Sequence, residues 1–217
     1  MTTLPSDPVL TKEGADLRDQ APGAERTLLI ACGALAREVL ALKQINAWDH
    51  MDLICLPAIL HNTPDLITDA VRAKVAEHRA RYPNIFVLYA DCGTGGLLEA
   101  ACIEMGVQML SGPHCYAFFD GVEAFEARGE VTSFYLTDFL ARQFDAFVWH
   151  PLGLDRHPEL KDMYFANYEA LVYLAQTDDP ALTKKARACA DRLGLRFERR
   201  YTGYGDLARE LAKEASQ

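Results

Sequence analysis

The sequence predicts an α/β fold, a mostly parallel sheet covered by helices, with a ligand site at the carboxyl ends of its strands. Three observations in the 217 residues predict it. From Thr27 onward, short continuous apolar runs alternate with longer amphipathic stretches, the pattern of buried parallel strands and their covering helices. Clusters of Gly, Pro, Asp and Thr punctuate the ends of the runs. Three of those ends also carry a cysteine.

Residues 1–26 are rich in Thr, Ser, Pro, Asp and Gly with little periodic apolar content, so a disordered leader is expected there. Residues 27–217 then form the α/β domain, either as one body or as two small lobes. Strands are expected at 28–31, 52–56, 85–90, 107–110, 147–150, 171–176 and 195–199, with a weaker candidate at 131–135. Thr63-Pro64 announces a helix, an N-cap before proline at the first helical position, with Leu66, Ile67, Ala70, Val71 and Val75 on one face. Thr177-Asp178-Asp179-Pro180 announces another by the same logic. There is no internal repeat and no low-complexity tract.

Composition excludes several function classes. Thirty-one acidic against twenty-two basic side chains give a net charge of −9, which repels a phosphate backbone and an anionic lipid surface, so neither nucleic acid nor membrane is expected as a partner. No apolar run approaches the ~18 to 20 residues that cross a bilayer, and the first 26 residues lack the charged and apolar regions of a signal peptide. A cytoplasmic location and a small-molecule substrate are the expectation. Six cysteines at this length are too sparse for a disulfide scaffold and read as thiols, metal ligands or buried fillers.

Cys32 ends the first strand in Ala31-Cys32-Gly33, Cys92 follows the third in Asp91-Cys92-Gly93, and Cys115 follows the fourth in His114-Cys115-Tyr116. In an open parallel sheet these ends face one edge, where ligands bind. Helix N-termini lower thiol pKa values, and thiolate is the form that binds metal. Three thiolates with His114 as a fourth ligand suit tetrahedral zinc; three alone leave an open position on zinc or on a [4Fe–4S] cluster. Without C-x-x-C spacing, buried cysteines at crowded turns remain the competing reading. Cys55, within a strand, and Cys102 and Cys189, within helices, read as core.

Other polar candidates follow the same edge. Gly93, Thr94, Gly95 and Gly96 resemble an anion-binding turn, although the segment lacks the Gly-Lys-Ser/Thr ending of a P-loop. His61 precedes the Thr63-Pro64 helix start as a ligand or proton carrier. Glu38 and Arg37 lie one turn into the first helix of the domain. Asp155 and His157 lie in a loop dense in His and Pro that suits substrate orientation or a lid, and equally a helix start.

These motifs together resemble the family catalogued as domain of unknown function 1638. The resemblance runs over about residues 27–210 and is carried by Ala31-Cys32-Gly33-Ala34-Leu35 with Glu38, by Leu60-His61-Asn62, by Asp91 to Gly96 and by His114-Cys115-Tyr116. Gly153-Leu154-Asp155 with His157-Pro158-Glu159-Leu160, and Tyr201-Thr202-Gly203, complete it. It implies Cys32, Cys92 and Cys115 as the functional cysteines. It further implies a role in one-carbon or methylated-amine metabolism beside corrinoid-dependent methyltransferases. A metal centre on these thiolates, zinc or alternatively [4Fe–4S], working in methyl transfer or a supporting reaction is therefore expected. A metal-free cysteine nucleophile and a non-enzymatic partner of a corrinoid protein or methyltransferase are the alternatives.

Overall fold

The computed structural model describes residues 4–18 and 26–216, and the chain divides into two compact units, Met1–Cys115 with Ala208–Gln217, and Tyr116–Leu207. The first unit begins with ordered structure where a disordered leader was expected. Pro8 supports the first turn of helix α1 (Asp7–Lys12). Gly14 then turns the chain at φ 73° into strand β1 (Ala15–Asp16), which pairs antiparallel with β3 (Met51–Leu56), Ala15 opposite Cys55 and Asp16 opposite Ile54. A Cβ on Gly14 would lie 2.2 Å from the Cys55 carbonyl oxygen, so glycine is required there. Leu10 and Leu17 are buried. The leader reading is thus corrected for residues 4–18 and for Arg26; its remaining positions, 1–3 and 19–25, lie outside the described residues.

Three runs form the centre of this unit. β2 (Thr27–Cys32), β3 and β4 (Asn84–Leu88) are buried on both faces except at Asn84, which explains why their sequences do not alternate. With the two-residue β5 (Gln108–Met109) they give the order β1-β3-β2-β4-β5, in which every pair except β1 with β3 is parallel. The connecting helices are α2 (Ala36–Asn46), α3 (Ile67–His78) and α4 (Leu97–Met105). Ile67, Val71 and Val75 turn inward on α3, while Leu66 stays 54% exposed in the short turn of 3-10 helix before it. At the amino edge of the strands, fully buried Asp52 accepts two bonds from Arg26 and one from Tyr82 at 2.8 Å. The pair is thereby satisfied rather than orphaned.

The second unit carries its own parallel sheet. β6 (Ser133–Leu136), β7 (Ala170–Ala175) and β8 (Arg196–Tyr201) lie in that order, with Leu136 opposite Tyr173 and Ala175 opposite Tyr201. α6 (Pro180–Leu193) starts on Asp179, whose carboxylate caps the Ala181 and Leu182 N–H groups, and its Leu182, Ala186, Cys189, Ala190 and Leu193 join the core. The strand expected at 147–150 does not form. Asp145–Trp149 is a π-helical turn, with the His150 N–H on the Asp145 carbonyl. Phe144 and Val148, four apart, both face the core, so this apolar run has a helical spacing that its shortness concealed. Among the described residues no helix is long and apolar enough to cross a membrane.

Candidate functional site

In the first unit the chain leaves β2 toward β3 on one side and leaves β4 toward β5 on the other. This reversal is a topological switch point, where loops at the carboxyl ends part to leave a crevice. Cys32 is the last residue of β2, Cys92 lies in the loop after β4, and Cys115 follows β5 as the first residue of helix α5 (Cys115–Asp120). The Asp91 and Cys92 N–H groups donate to the Gly112 and Pro113 carbonyls, each at 3.0 Å, and so clamp the last two loops together. As a result the Cys92 and Cys115 Sγ atoms stand 3.2 Å apart.

Local backbone chemistry holds Cys92 in place. Its φ of 49° lies in the left-handed region, which a residue with a Cβ enters only at a cost that the surroundings must offset. The offset comes from Asp91. Its carboxylate accepts from the Gly93, Gly95 and Gly96 N–H groups at 2.7 to 3.2 Å and from the Thr94 hydroxyl at 2.8 Å. The Thr94 N–H goes to the Asp91 carbonyl. This corrects the expectation of an anion cradle at residues 93–96: the donors that an exogenous anion would need already belong to Asp91. Those bonds also hold the Asp91 carboxyl below the usual carboxylate range.

The two sulfurs are driven apart in acidity. Donation from Cys115 is the largest influence on Cys92 and lowers its pKa; burial opposes this, and a hydrogen bond from His61 lowers it further. Cys115, as the donor, is pushed well up. At this separation either sulfur can donate to the other, and the opposite directions of the two shifts favour the negative charge on Cys92. Cys92 is only 5% exposed and Cys115 half-buried, whereas His61, the hydrogen-bond partner of Cys92, is exposed. Burial pushes Cys32 up to about 12, with the charge on Cys92 adding to it. His114 is half-buried, and its pKa falls through burial despite the neighbouring Cys92 and Asp91.

Sequence reasoning missed Tyr89. It follows β4 directly, its ring is 2% exposed, and its hydroxyl makes no well-formed hydrogen bond although it interacts with the Cys32 sulfur. Burial raises its pKa first, and the sulfurs of Cys32, Cys115, Cys92 and Cys55 add to the rise, which places the phenol among four thiols. Tyrosine at the end of an apolar strand was the available signal, because its hydroxyl has to go somewhere.

The remaining candidates separate. Glu38 is buried in the first turn of α2 and acts electrostatically on Cys55. Arg37 bonds Asp7 of α1 at 3.0 Å. Asp155 and His157 belong to the second unit, where they are exposed and face His150 at 3.5 Å and Glu159 at 3.3 Å. Cys55, Cys102 and Cys189 are buried thiols whose pKa values burial raises.

The donor set is soft and rich in sulfur and imidazole, as zinc prefers. Its arrangement is a pair and not a trio. Among the described residues no three His, Cys, Asp or Glu side chains are placed to hold a metal ion. Two thiolates on tetrahedral zinc, each about 2.3 Å from the metal, stand about 3.8 Å apart. The 3.2 Å separation of Cys92 and Cys115 is closer, and fits a shared proton better than a shared metal.

Fold and site define an α/β protein with a buried thiol pair at the switch point of a parallel sheet. The chain belongs to the family described as protein of unknown function DUF1638, whose model matches residues 55–211. That range holds His61, Cys92, His114 and Cys115 and begins after Cys32 and Glu38. No curated protein matches the chain. Among solved structures, ornithine carbamoyltransferase from Pyrococcus furiosus is similar at 12% identity and a TM-score of 0.23, over 82% of this chain and 54% of that one. The chain spans about half the length of that protein, and a likeness so distant says nothing of activity.

Proposed function

We propose that the first unit is a thiol-dependent group-transfer centre in which Cys92 is the nucleophile, Cys115 shares its proton and His61 supports the thiolate. The observation that carries this is the 3.2 Å contact between Cys92 and Cys115, with His61 hydrogen-bonded to Cys92. A thiolate attacks an electrophilic carbon of a small-molecule substrate, so that an S–C bond forms and the leaving group departs with its electron pair and a proton from His61 or Cys115. An acyl group suits this site, because a second nucleophile discharges the thioester and returns the Cys92 thiolate. Methyl transfer, the activity that the family resemblance implies, leaves a thioether that needs a strong acceptor, and a corrinoid protein or methyltransferase is the partner class for that step.

Cys32, a third thiol acting electrostatically on the same sulfurs, favours a second reading. In it the three cysteines hold zinc or a [4Fe–4S] cluster, which would supply Lewis acidity once Cys32 closed on the pair.

One experiment separates the two. Anaerobically purified protein is analysed for metal and iron and then treated with a simple acyl thioester. A metal-free chain acylated at Cys92, and not acylated in Cys92→Ser, supports the nucleophile. One equivalent of zinc, or iron with sulfide, that is lost in Cys92→Ser and retained in Cys189→Ser supports the metal centre and overturns the first reading.

A further inference from the structure

The acid–base partition between Cys92 and Cys115 accounts for a nucleophile, but their distance has a second chemical meaning. At 3.2 Å the sulfurs need to approach by little more than 1 Å to reach the ~2.05 Å of a disulfide. The loops that carry them are tied by two backbone bonds, so the approach requires side-chain rotation and leaves the clamp intact. The other four cysteines, Cys32, Cys55, Cys102 and Cys189, are all buried. We propose that Cys92 and Cys115 are a reversible oxidation site for a hydroperoxide, and that the disulfide so formed takes the nucleophile out of action.

The reaction balances with hydrogen peroxide as the oxidant. The Cys92 sulfur attacks one peroxide oxygen; an S–O bond forms, the O–O bond breaks, and the departing hydroxide takes up a proton to leave as water. The Cys115 sulfur then attacks the Cys92 sulfenic acid. An S–S bond forms, the S–O bond breaks, and the hydroxyl leaves as a second water with the Cys115 proton. Two thiols are oxidised and one peroxide is reduced. A small dithiol reverses the step by thiol–disulfide exchange. The low exposure of Cys92 selects for an oxidant of this size over a bulky disulfide, and the more open Cys115 is placed to resolve the intermediate.

The proposal shares Cys92 with the group-transfer reading but stands on the sulfur pair, and the two fail separately. Reduced full-length protein, as purified and after chelation, is exposed to hydrogen peroxide, denatured in an alkylating agent and mapped by mass spectrometry. The expected product lacks two hydrogen atoms, yields one cross-linked peptide joining Cys92 to Cys115, and is restored by dithiothreitol. The pair should be consumed at least about tenfold faster than Cys32, Cys55, Cys102 or Cys189, since it has a resolving sulfur 3.2 Å away and the half-exposed Cys115, and oxidation follows access. In Cys115→Ser the sulfenic acid should persist on Cys92 and be captured by dimedone. The proposal is overturned if no cross-linked peptide forms with or without the chelator, or if oxidation falls equally on all six cysteines. Wild-type mapping needs no variant to fold. A chain that cross-links but resists acylation keeps this inference and loses the group-transfer reading, and the converse result does the reverse.

Discussion

Replacing Cys115 with alanine removes the hydrogen atom that stabilises the Cys92 thiolate. The bond is 3.2 Å long, part-buried and made to a charged sulfur. A hydrogen bond to a charged group is worth about 1.5 to 3 kcal/mol, and at 1.36 kcal/mol per unit its loss should raise the Cys92 pKa by about one to two units. The assay must follow the midpoint and not a single rate. From a starting value of about 5, a rise of that size leaves half or more of the thiol ionised at neutral pH while intrinsic nucleophilicity gains about threefold per unit, so a single neutral-pH rate does not report the lost bond. Alkylation of Cys92 by iodoacetamide, measured across pH with Cys92→Ser as the blank, should show the midpoint displaced upward in Cys115→Ala. His61→Ala should displace it in the same direction by less, since His61 is the weaker of the two influences. The sign for stability follows. An acid whose folded pKa is depressed stabilises the fold fully above its unfolded value, and that contribution is lost as pH falls through the folded midpoint. A midpoint in Cys115→Ala equal to or below that of the wild type would refute the reasoning.

Two buried phenols should respond oppositely to loss of the hydroxyl. Tyr82→Phe leaves a buried Asp52 oxygen short of a donor and should cost about 1 to 2 kcal/mol in urea unfolding. Tyr89→Phe removes a hydroxyl without a well-formed bond and should be neutral or stabilising; a loss as large as that of Tyr82→Phe would show that the hydroxyl is satisfied in the folded state. In Gly33→Ala the new Cβ would fall 2.4 Å from the Leu10 carbonyl oxygen, so α1 must shift. That should cost about 1 to 3 kcal/mol and speed proteolysis within residues 4–18, whereas unchanged proteolysis would argue that the segment is not docked. Asp91→Ala releases four donors of the 93–96 turn and should cost about 1 to 2 kcal/mol at neutral pH. Because the Asp91 pKa is lowered, its contribution is complete above the unfolded carboxylate value and fades as pH falls below it. The wild type and Asp91→Ala should therefore converge in stability in acid, and a gap that persists there would contradict this.

The strands of both sheets were legible because their burial comes from their own apolar runs: 28–31, 52–56 and 85–90 fall on β2, β3 and β4, and 171–176 and 195–199 overlap β7 and β8. That Cys32, Cys92 and Cys115 each lie at or beyond the carboxyl end of a strand was legible for the same reason, since parallel strands fix where their carboxyl ends go. Residues 4–18 were not, because the Ala15 and Asp16 pairing exists only against β3 and the docking of Leu10 only against Gly33. The run at 147–150 was too short for its period to separate strand from helix. Nothing in Gly93-Thr94-Gly95-Gly96 reveals that Asp91 takes the turn's donors, because that depends on the carboxylate folding back over its own loop. The sulfur contact itself depends on two loop-to-loop bonds, a tertiary feature without a local signature.

The most direct measurement is the Cys92 Sγ to Cys115 Sγ distance in a crystal of the reduced protein, with sulfur positions fixed by anomalous scattering. The proton-sharing account gives a separation close to 3.2 Å with no heavy atom bridging the two. A separation near 3.8 Å with a metal bonded to both would contradict it in favour of the metal centre, and sulfurs turned away from each other would contradict both.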